Sequence, residues 1–452
     1  MSSEVISHSM KCKIFTIIGF LFLTHTYADK PNIVFILGDD QSWKDYGFTG
    51  SREVRTPHID ALAKNGLSFK RGYVAAPICR PSLASMATGL FPHQHGITGN
   101  DVFKNTDRAK LDLPFRKAFH QKPSFIKELV KLGYLAHQSG KWWEGSWKDG
   151  GFTHGMTHGD PKRGGRHGDA GLKIGREGLK PITDFVEHAQ KEEKPFLLWY
   201  APFLPHTPHN PPERLLKKYQ KEGRPLDQAK YLAMCEWFDE TVGELLGYLD
   251  KQGLKENTLV VFTCDNGWST TSSNTDDPNQ KLFPSYAQRT KGSPYEGGTR
   301  NPILLSWPKH ITPEDSSDLA HAVDLFPTIL SAAGGEVPAG LSGINLLDAK
   351  ARKQRDTVFG VNHSTHNMTL GDPDDTLQYI WCIEGNWKLI KRYEGKDISP
   401  HYSALHQWDS AAYHLYDLEK DPNELNDLAD AMPKRVKHMS AKIDQWRIDT
   451  KG

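Results

Sequence analysis

The 452-residue sequence has few cysteines and no surplus of charge of either sign. Five cysteines in a chain of this length exclude a dense disulfide framework. The 56 Lys and Arg residues against 55 Asp and Glu residues give a net charge of +1, which excludes the broad basic surface of a general nucleic-acid binder. Any binding of an anion must therefore be local. The 37% of hydrophobic and 25% of charged residues are ordinary for a globular protein, so a disordered or fibrous chain is also excluded.

Long apolar runs are also missing, except near the N-terminus. Residues 14–23 read IFTIIGFLFL, with Lys11 and Lys13 before them and a small residue, Ala28, after them. This order is typical of a secretory signal peptide, here 1–28, and the apolar run is short for a membrane span. We therefore expect export to the periplasm or the outside of the cell. We expect no membrane association after the signal peptide is removed.

Apolar segments that alternate with helical patterns predict an α/β fold. The segments 32–37, 196–201, 259–263 and 302–307 are typical of buried strands. Between them lie helical patterns at 59–64, 124–132, 182–190, 231–249 and 320–333. This alternation indicates a large, mostly parallel sheet sandwiched by helices. Ligands of such sheets bind beyond the carboxyl ends of the strands, so the polar residues that follow each strand are the first candidates for a site.

The pattern changes near residue 350. Residues 350–355 (KARKQR) form a basic stretch that is typical of a solvated linker. Strand patterns follow at 357–361, 379–384 and 387–391, and a helical pattern at 433–446 closes the chain. We therefore predict a catalytic domain at 29–350 and a C-terminal subdomain at 351–452, built from a small antiparallel sheet and one helix.

Acidic residues follow two of the predicted strands. Asp39 and Asp40 come after the first strand, and Asp265 and Asn266 follow the strand at 259–263. Adjacent carboxylates repel each other unless positive charge lies beside them. Carboxylate and amide oxygens favour a hard divalent cation, calcium or magnesium, shared by the two strand ends. A polar turn with an Asp cap is the alternative for each segment taken alone.

Cys79 opens a segment with helix signals at both of its ends. Pro81 suits the first turn of a helix, and Gly89 suits its end. Cys79 is therefore expected at a helix N-terminus, where the backbone dipole favours negative charge. A buried structural cysteine is the alternative.

Six motifs occur in chain order: PNIVFILGDDQ at 31–41, Cys79-x-Pro81-Ser82, Gly140-Lys141-Trp142, Pro205-His206-Thr207-Pro208, Asp265-Asn266-Gly267, and Lys291 followed by Glu296-Gly297-Gly298-Thr299-Arg300. Together they make this sequence resemble the formylglycine-dependent (type I) sulfatases of the alkaline phosphatase superfamily. Two later segments, DLFPT at 324–328 and LYDLEKDPNE at 415–424, are also similar to the family. The resemblance covers nearly all of the chain after Ala28 and implies an alkaline phosphatase-like fold.

The resemblance implies a modified nucleophile and a cation. Cys79 matches the cysteine that a formylglycine-generating enzyme oxidises to formylglycine, whose hydrate attacks the sulfur of a sulfate ester and later expels sulfate. Calcium is the family's usual ion, and magnesium is less expected. The implied metal ligands are Asp39, Asp40, the modified Cys79, Asp265 and Asn266.

The resemblance also assigns three further residues to the reaction. Lys141 and Lys291 match the two lysines that hold the sulfate charge. His206 matches the histidine that protonates the leaving alcohol, a role that suits a group titrating near neutral pH.

The sequence departs from the family pattern at two positions. Leu83 stands four residues after Cys79, where the family has an arginine that orients the formylglycine and is read by the modifying enzyme. Trp143 stands where the family has a histidine that contacts the formylglycine. Arg80 is the candidate to replace the arginine. The candidates to replace the histidine are His93, His95 and His137.

These departures leave two alternatives to a sulfatase. The chain is then either a catalytically impaired, sulfatase-like protein that binds sulfated glycans, or a phosphate mono- or diesterase of the same superfamily. The metal-ligand residues, which a decayed enzyme would be expected to lose, are all present, and the lysine pair Lys141 and Lys291 favours sulfate.

Aromatic residues beside Lys141 point to the class of substrate. Trp142, Trp143 and Trp147 lie in one short segment; exposed indoles stack on sugar rings, although Trp142 is expected in the core. Together with export, this favours a sulfated carbohydrate as the substrate. The residues that we consider for contact with that substrate are Arg80, His95, Trp143, His209 and Arg300.

Overall fold

A computed structural model describes residues 30–102, 108–159, 169–269, 289–364, 368–395 and 411–451. The predicted signal peptide at 1–28 lies outside these residues. Within them, no helix combines the length and the apolar character that crossing a bilayer would require. The four cysteines that the structure describes, Cys79, Cys235, Cys264 and Cys382, are buried free thiols.

An eight-stranded sheet forms the centre of the molecule, in the order β5-β4-β6-β1-β7-β8-β2-β9. The strands from β5 to β7 in this order run parallel, whereas β8 is antiparallel to both of its neighbours. The strands span Asn32–Gly38 (β1), Leu67–Phe69 (β2), Leu135–Gly140 (β4), His154–Gly155 (β5), Phe196–Ala201 (β6), Thr258–Cys264 (β7), Ile303–Ser306 (β8) and Glu314–Ser316 (β9). A separate parallel pair joins Gly72–Tyr73 (β3) to Ala320–His321 (β10).

The three inner strands β1, β6 and β7 are buried along their whole length. In β1, Ile33, Phe35 and Leu37 pack into one apolar cluster, and the alternate residues Val34 and Ile36 pack into a second cluster. Both faces of the sheet are therefore covered, which is why these strands read as continuous apolar runs.

Helices lie between the strands. They span Pro57–Lys64 (α1), Cys79–Thr88 (α2), Pro92–His95 (α3), Arg108–His120 (α4), Phe125–Lys131 (α5), Lys180–Lys191 (α6), Glu213–Tyr219 (α7), Leu226–Lys251 (α8), Glu296–Thr299 (α9), Leu325–Ala332 (α10), Ala349–Gln354 (α11) and Pro433–Asp449 (α12). The helix predicted at 320–333 is wrong in its first part. Its first two residues are β10, and the backbone N–H of His321 donates to Asp324 Oδ2 at 2.8 Å, which caps the turn before α10.

A second, four-stranded antiparallel sheet follows, in the order β11-β12-β13-β14. Its strands span Thr357–His363 (β11), Leu377–Glu384 (β12), Trp387–Arg392 (β13) and Tyr413–Asp417 (β14), and α12 packs on it through Met439, Ile443 and Trp446. The predicted fold class, a large mostly parallel sheet with helices and a smaller antiparallel sheet plus helix, is confirmed.

The basic stretch at 350–355 is not the solvated linker that the sequence predicts. It lies in and just after α11, and the Arg352 side chain is only 5% exposed, donating to Asp318 at 3.2 Å and Glu314 at 2.8 Å. Arg355 donates to the buried carboxylate of Asp324 at 2.7 Å. These arginines pair with carboxylates that are distant in sequence, which local composition does not reveal.

Candidate active site

The carboxyl ends of β1 and β7 bring four polar side chains together. The two strands are in register up to Gly38 and Cys264, so the residues that follow them leave the sheet side by side. The backbone N–H of Asp40 donates to Asp265 Oδ1 at 3.2 Å, and Asn266 Nδ2 donates to Asp40 Oδ1 at 2.7 Å. Asp39 completes this acidic group, whose members are all at most 4% exposed.

Two buried lysines neutralise these carboxylates. Lys141 Nζ lies 2.5 Å from Asp39 Oδ1 and 2.8 Å from Asp265 Oδ2, and Lys291 Nζ lies 2.5 Å from Asp40 Oδ1. Lys141 follows β4 directly, where Gly140 has a φ of 84° and no room for a Cβ, which would come 1.8 Å from the carbonyl oxygen of Ala201. This position requires glycine.

Burial and these charge pairs set the pKa values of the carboxyl groups in opposite directions. Burial raises the pKa of Asp265 to about 6, against the opposing effect of Lys141 and with the repulsion of Asp39 and Asp40. Burial also raises the pKa of Asp39, which Lys141 opposes. Burial would raise the pKa of Asp40 as well, but Lys291 and His206 outweigh it and hold this pKa below its usual value. Asp40 is therefore the carboxyl group of the three that most favours its charged form.

Cys79 is the first residue of α2, as the sequence predicts, and its Sγ lies 4.0 Å from Asp40 Oδ1. Gly89 ends this helix with a φ of 66°. The expected gain of acidity at the helix N-terminus is wrong for the thiol: burial raises the pKa of Cys79 to about 12, although Lys141 and Lys291 lower it in part. An unmodified Cys79 is thus a protonated thiol at neutral pH and a poor nucleophile.

His206 faces the same group from the loop after β6. Its Nε2 lies 3.6 Å from Asp40 Oδ2, and its ring stacks on Phe203 with a centroid distance of 4.2 Å. Its Nδ1 lies 2.6 Å from the carbonyl oxygen of Thr207, so Nδ1 carries the hydrogen and Nε2 faces the site. Burial lowers the pKa of His206 to about 4, with Asp40 opposing and Lys291 assisting. The expectation that this histidine titrates near neutral pH is therefore wrong for the site as the structure has it.

The donor atoms of the group fit a hard divalent cation. Ligand atoms of Asp39, Asp40, Cys79 and His206 all lie within 4.8 Å of one another. Asp39 Oδ2 and Asn266 Oδ1 are buried and have no hydrogen-bond partner among the described residues. Buried oxygen atoms without a partner are costly, and a cation would satisfy both. The sequence prediction of a cation shared by the two strand ends agrees with this geometry.

Two residues considered for substrate contact are engaged elsewhere. Arg80 binds Glu144 through two hydrogen bonds of 2.6 and 2.8 Å and Asp112 through one of 2.5 Å, and it is 3% exposed. His95 is 1% exposed; its Nε2 lies 3.0 Å from Ser85 Oγ, and its Nδ1 accepts from the backbone N–H of Ile97. Both side chains hold neighbouring segments together.

Arg300 is also occupied. Its guanidinium lies 4.0 Å from the ring centroid of Trp43, and its Nε donates to the carbonyl oxygen of Lys70. His209 packs against Tyr231 with a centroid distance of 5.7 Å, and burial lowers its pKa to about 4.

Trp143 remains close to the reacting groups. Lys141 Nζ lies 5.6 Å from the centroid of the Trp143 ring, which is partly buried. Trp142 is 4% exposed and packs in the main core, as the sequence predicts. Of the three histidines considered as replacements, His93 bonds to Thr450 Oγ1 and His137 packs on Phe185, so each has a structural contact.

Sequence reasoning missed the residues that support the site from outside it. Phe203, which stacks on His206, lies three residues before it in an apolar run. Nothing in the sequence pattern indicates that Phe203 contacts a site residue. Glu296 and Glu424 lie within motifs of the family. Asn362 and Lys388 contact the same region, but Asn362 lies one residue after the strand predicted at 357–361, and Lys388 lies in the ordinary strand pattern at 387–391.

Comparisons with known proteins agree with this fold and site. Residues 31–335 match the family model "Sulfatase", and residues 288–449 match the model "N-sulphoglucosamine sulphohydrolase, C-terminal". The chain therefore belongs to the sulfatase family, and it is a sulfuric ester hydrolase with an alkaline phosphatase-like fold.

Characterised relatives extend over most of the chain. Arylsulfatase A of Homo sapiens is 28% identical over 485 residues, covering 92% of this chain and 89% of that protein. N-acetylgalactosamine-6-sulfatase of Homo sapiens is 30% identical over 413 residues, covering 82% of this chain and 75% of that protein. The crystal structure of Ps i-CgsB, also solved in complex with k-i-k-neocarrahexaose, superposes with a TM-score of 0.71 at 25% identity and covers 93% of this chain and 94% of that one.

Proposed function

We propose that this protein is an exported sulfatase that removes sulfate from a sulfated carbohydrate. The observation that carries the proposal is the convergence of two buried ammonium groups, those of Lys141 and Lys291, on the carboxylates beside Cys79. Buried point charges of this kind bind one small anion and stabilise the charge that develops when its ester bond breaks.

The residues of the site divide the work of the reaction. Asp39, Asp40, Asp265 and Asn266, with the modified Cys79, would hold a divalent cation, calcium before magnesium. When bound, the cation would polarise a sulfate oxygen and activate the nucleophile of the formylglycine derived from Cys79. Lys141 and Lys291 place their ammonium groups beside this site, where they would bind the sulfate oxygens.

His206 is the candidate proton donor to the leaving alcohol. Its Nε2 faces Asp40, and its Nδ1 is fixed by the carbonyl oxygen of Thr207, so the ring has one defined orientation. Burial and the lysines keep it neutral at pH 7 in this form. A bound anionic ester adds negative charge beside the ring, which raises the pKa of the imidazole and favours its protonation when substrate is present.

The replacement of the family arginine by Leu83 bears on maturation. Leu83 is 3% exposed and packs in the main core, and Arg80 is held by Glu144 and Asp112. Neither Leu83 nor Arg80 is therefore free to take the role that the resemblance assigns to the family arginine. We propose that a formylglycine-generating enzyme accepts the Cys79-x-Pro81-Ser82 segment in spite of this change.

A carbohydrate substrate is supported by several independent features. The names of two similar proteins indicate carbohydrate ligands. One is an N-acetylgalactosamine-6-sulfatase, and the other was solved in complex with k-i-k-neocarrahexaose. The N-terminal sequence indicates export, and Trp143 lies beside Lys141 with part of its indole exposed. A partly exposed indole suits the apolar face of a sugar ring.

The direct test measures sulfate release by the mature holoprotein from sulfated oligosaccharides and aryl sulfates, and phosphate release from phosphate monoesters, with Cys79→Ala as the control. We expect sulfate release from at least one oligosaccharide and none by Cys79→Ala. Activity on aryl sulfates alone would contradict the carbohydrate assignment. Binding of oligosaccharides without turnover would identify the impaired, glycan-binding alternative, and a preference for phosphate esters would identify the phosphatase alternative.

A further inference from the structure

The segment that carries Lys291 is fastened to two parts of the molecule. On the side of the large sheet, the backbone N–H of Lys291 donates to the carbonyl oxygen of Trp268 at 3.0 Å, and that of Gly292 donates to Pro77 at 2.8 Å. On the other side, Asn362 Nδ2, at the end of β11, donates to the carbonyl oxygen of Gly292 at 3.1 Å. A strand of the C-terminal sheet thus contacts the residue next to the lysine.

The same segment is held a second time a few residues further along. The backbone N–H of Glu296, the first residue of α9, donates to Glu424 Oε2 at 2.6 Å. Glu424 belongs to the loop after β14 and is 1% exposed. Its carboxylate therefore caps the chain five positions after Lys291 and limits the freedom of the residues between them.

Buried charges reinforce this second fastening. Lys388 Nζ, on β13, lies 3.0 Å from Glu296 Oε1 and 3.3 Å from Glu424 Oε1, with both carboxylates and the lysine at most 1% exposed. Tyr73 OH donates to Glu296 Oε2 at 3.2 Å. Charges in the interior have a large desolvation cost, and replacing such a network with apolar residues is often neutral or stabilising. The contacts of this network converge on Glu296, at the end of the segment that begins at Gly292.

We propose that Asn362 and Glu424 are positioning residues for Lys291. They act through the backbone of residues 292–296 and keep the ammonium group 2.5 Å from Asp40 Oδ1, where an incoming sulfate meets it. The C-terminal sheet thereby takes part in anion binding without contributing a group to the site. This inference rests on the proposed role of Lys291 in binding sulfate.

The test is a double-mutant cycle with inorganic sulfate as the probe. Calorimetry measures sulfate affinity of the metal-loaded, mature full chain for Asn362→Leu, Lys291→Ala and the double variant. Leu has the same branching as Asn, although it is larger, and it donates no hydrogen bond. We expect Asn362→Leu to weaken sulfate binding roughly tenfold, which corresponds to about 1.4 kcal/mol of lost interaction between Lys291 and the anion. In the Lys291→Ala background the same substitution has no further effect, because the group that it positions is gone.

Two more variants separate positioning from a general loss of structure. Glu424→Gln keeps an oxygen that accepts the hydrogen bond from the backbone N–H of Glu296, so we expect it to retain sulfate affinity. Glu424→Leu removes this acceptor, so we expect it to weaken sulfate binding as Asn362→Leu does. Asp427→Asn, in the same loop but paired with His414, is the matched control and leaves sulfate affinity unchanged.

The outcomes distinguish this inference from the proposed function. If Lys291→Ala itself leaves sulfate binding intact, the assignment of Lys291 fails. If Lys291→Ala weakens sulfate binding but Asn362→Leu and Glu424→Leu do not, or if Asn362→Leu weakens it equally in both backgrounds, the positioning role fails while the proposed function stands.

Discussion

Lys141 and Lys291 supply the positive charge around which the acidic residues of the site are arranged. Each ammonium group lies within 2.8 Å of a carboxylate oxygen in a region that is almost closed to water. This explains how a chain with a net charge of +1 can belong to a family that acts on anions. One sulfate group needs a few buried charges, and a basic surface adds nothing to that recognition.

The substitution Lys291→Ala tests this arrangement at the scale of one residue. We expect kcat for sulfate ester hydrolysis to fall by about 100-fold or more, which is the usual effect of removing one group that stabilises charge in the transition state. Circular dichroism and thermal unfolding check that the fold remains. Lys70→Ala, which removes a half-exposed lysine paired with Asp315, is the control and should leave kcat unchanged. Equal rates for the two variants would contradict the assignment.

The sequence indicates which candidate site residues lie close together, but it does not indicate their ionisation. Asp39 and Asp265 were found because they follow buried strands, and the sheet brings strand ends together. The low pKa of His206 depends on burial under Phe203 and on two lysines that are far away in the chain. Arg80 follows Cys79 directly, yet it binds Glu144, a contact set by the packing of three separate segments.

At the scale of secondary structure, apolar periodicity was a sufficient guide where the buried residues of an element are themselves apolar. The strand predicted at 196–201 has the bounds of β6. The strand predicted at 259–263 is observed as β7, which is one residue longer at each end. The strand β4, which reads LAHQSG, was missed because its buried residues include His137, Gln138 and Ser139. Polar side chains in a buried strand form hydrogen bonds with other segments, as Gln138 does with Thr157. The local sequence pattern does not indicate these partners.

The junction of α1 with α8 gives a prediction of pH dependence. Asp239 accepts hydrogen bonds from the backbone N–H groups of His58 and Ile59 at the start of α1. Burial, opposed in part by these hydrogen bonds, raises the pKa of Asp239 to about 7. The folded state therefore retains a proton that the unfolded chain has lost, and stability falls as pH rises from about 4 to 7.

The variant Asp239→Asn removes this titration. Through Asp239, the free energy of unfolding of the unchanged protein should fall by at most about 1.4 kcal/mol for each unit of pH increase. In the variant this contribution to the slope of the free energy against pH should be absent. Urea unfolding at several pH values between 4 and 7 measures both slopes. Asp184→Asn, on the exposed surface of α6, serves as the control. Identical slopes for the protein and the Asp239→Asn variant would show that this carboxyl group does not titrate in the window.

The molecule as a whole joins a large α/β unit to a smaller sheet through buried polar contacts. Family models overlap across this junction, with one ending at residue 335 and the other beginning at residue 288. Residues 291 and 296 lie in the overlap and are held by Asn362 and Glu424 from the C-terminal part. The boundary near residue 350 stays a prediction from the sequence pattern, and the contacts between the two parts depend on pairs of residues that are distant in sequence.

Removal and return of the cation test the site in the folded molecule. We expect chelator-treated protein to gain stability when calcium is added, by about 2.7 kcal/mol at a calcium concentration 100 times the dissociation constant. Magnesium should give a smaller gain at equal concentration. Thermal unfolding measures the shift, and Asp265→Asn, which removes one proposed ligand charge, should reduce it strongly. A shift that is the same in protein and variant would place the cation elsewhere.

The central claim is that Cys79 becomes formylglycine and that this residue makes the protein a working sulfatase. Peptide mass spectrometry of the segment that contains Cys79, from mature protein made in its native host, tests the claim most directly. The account predicts a peptide in which the thiol has been replaced by an aldehyde or its hydrate, despite Leu83 at the position of the family arginine. A mature protein whose Cys79 peptide carries only the unmodified thiol would contradict the account.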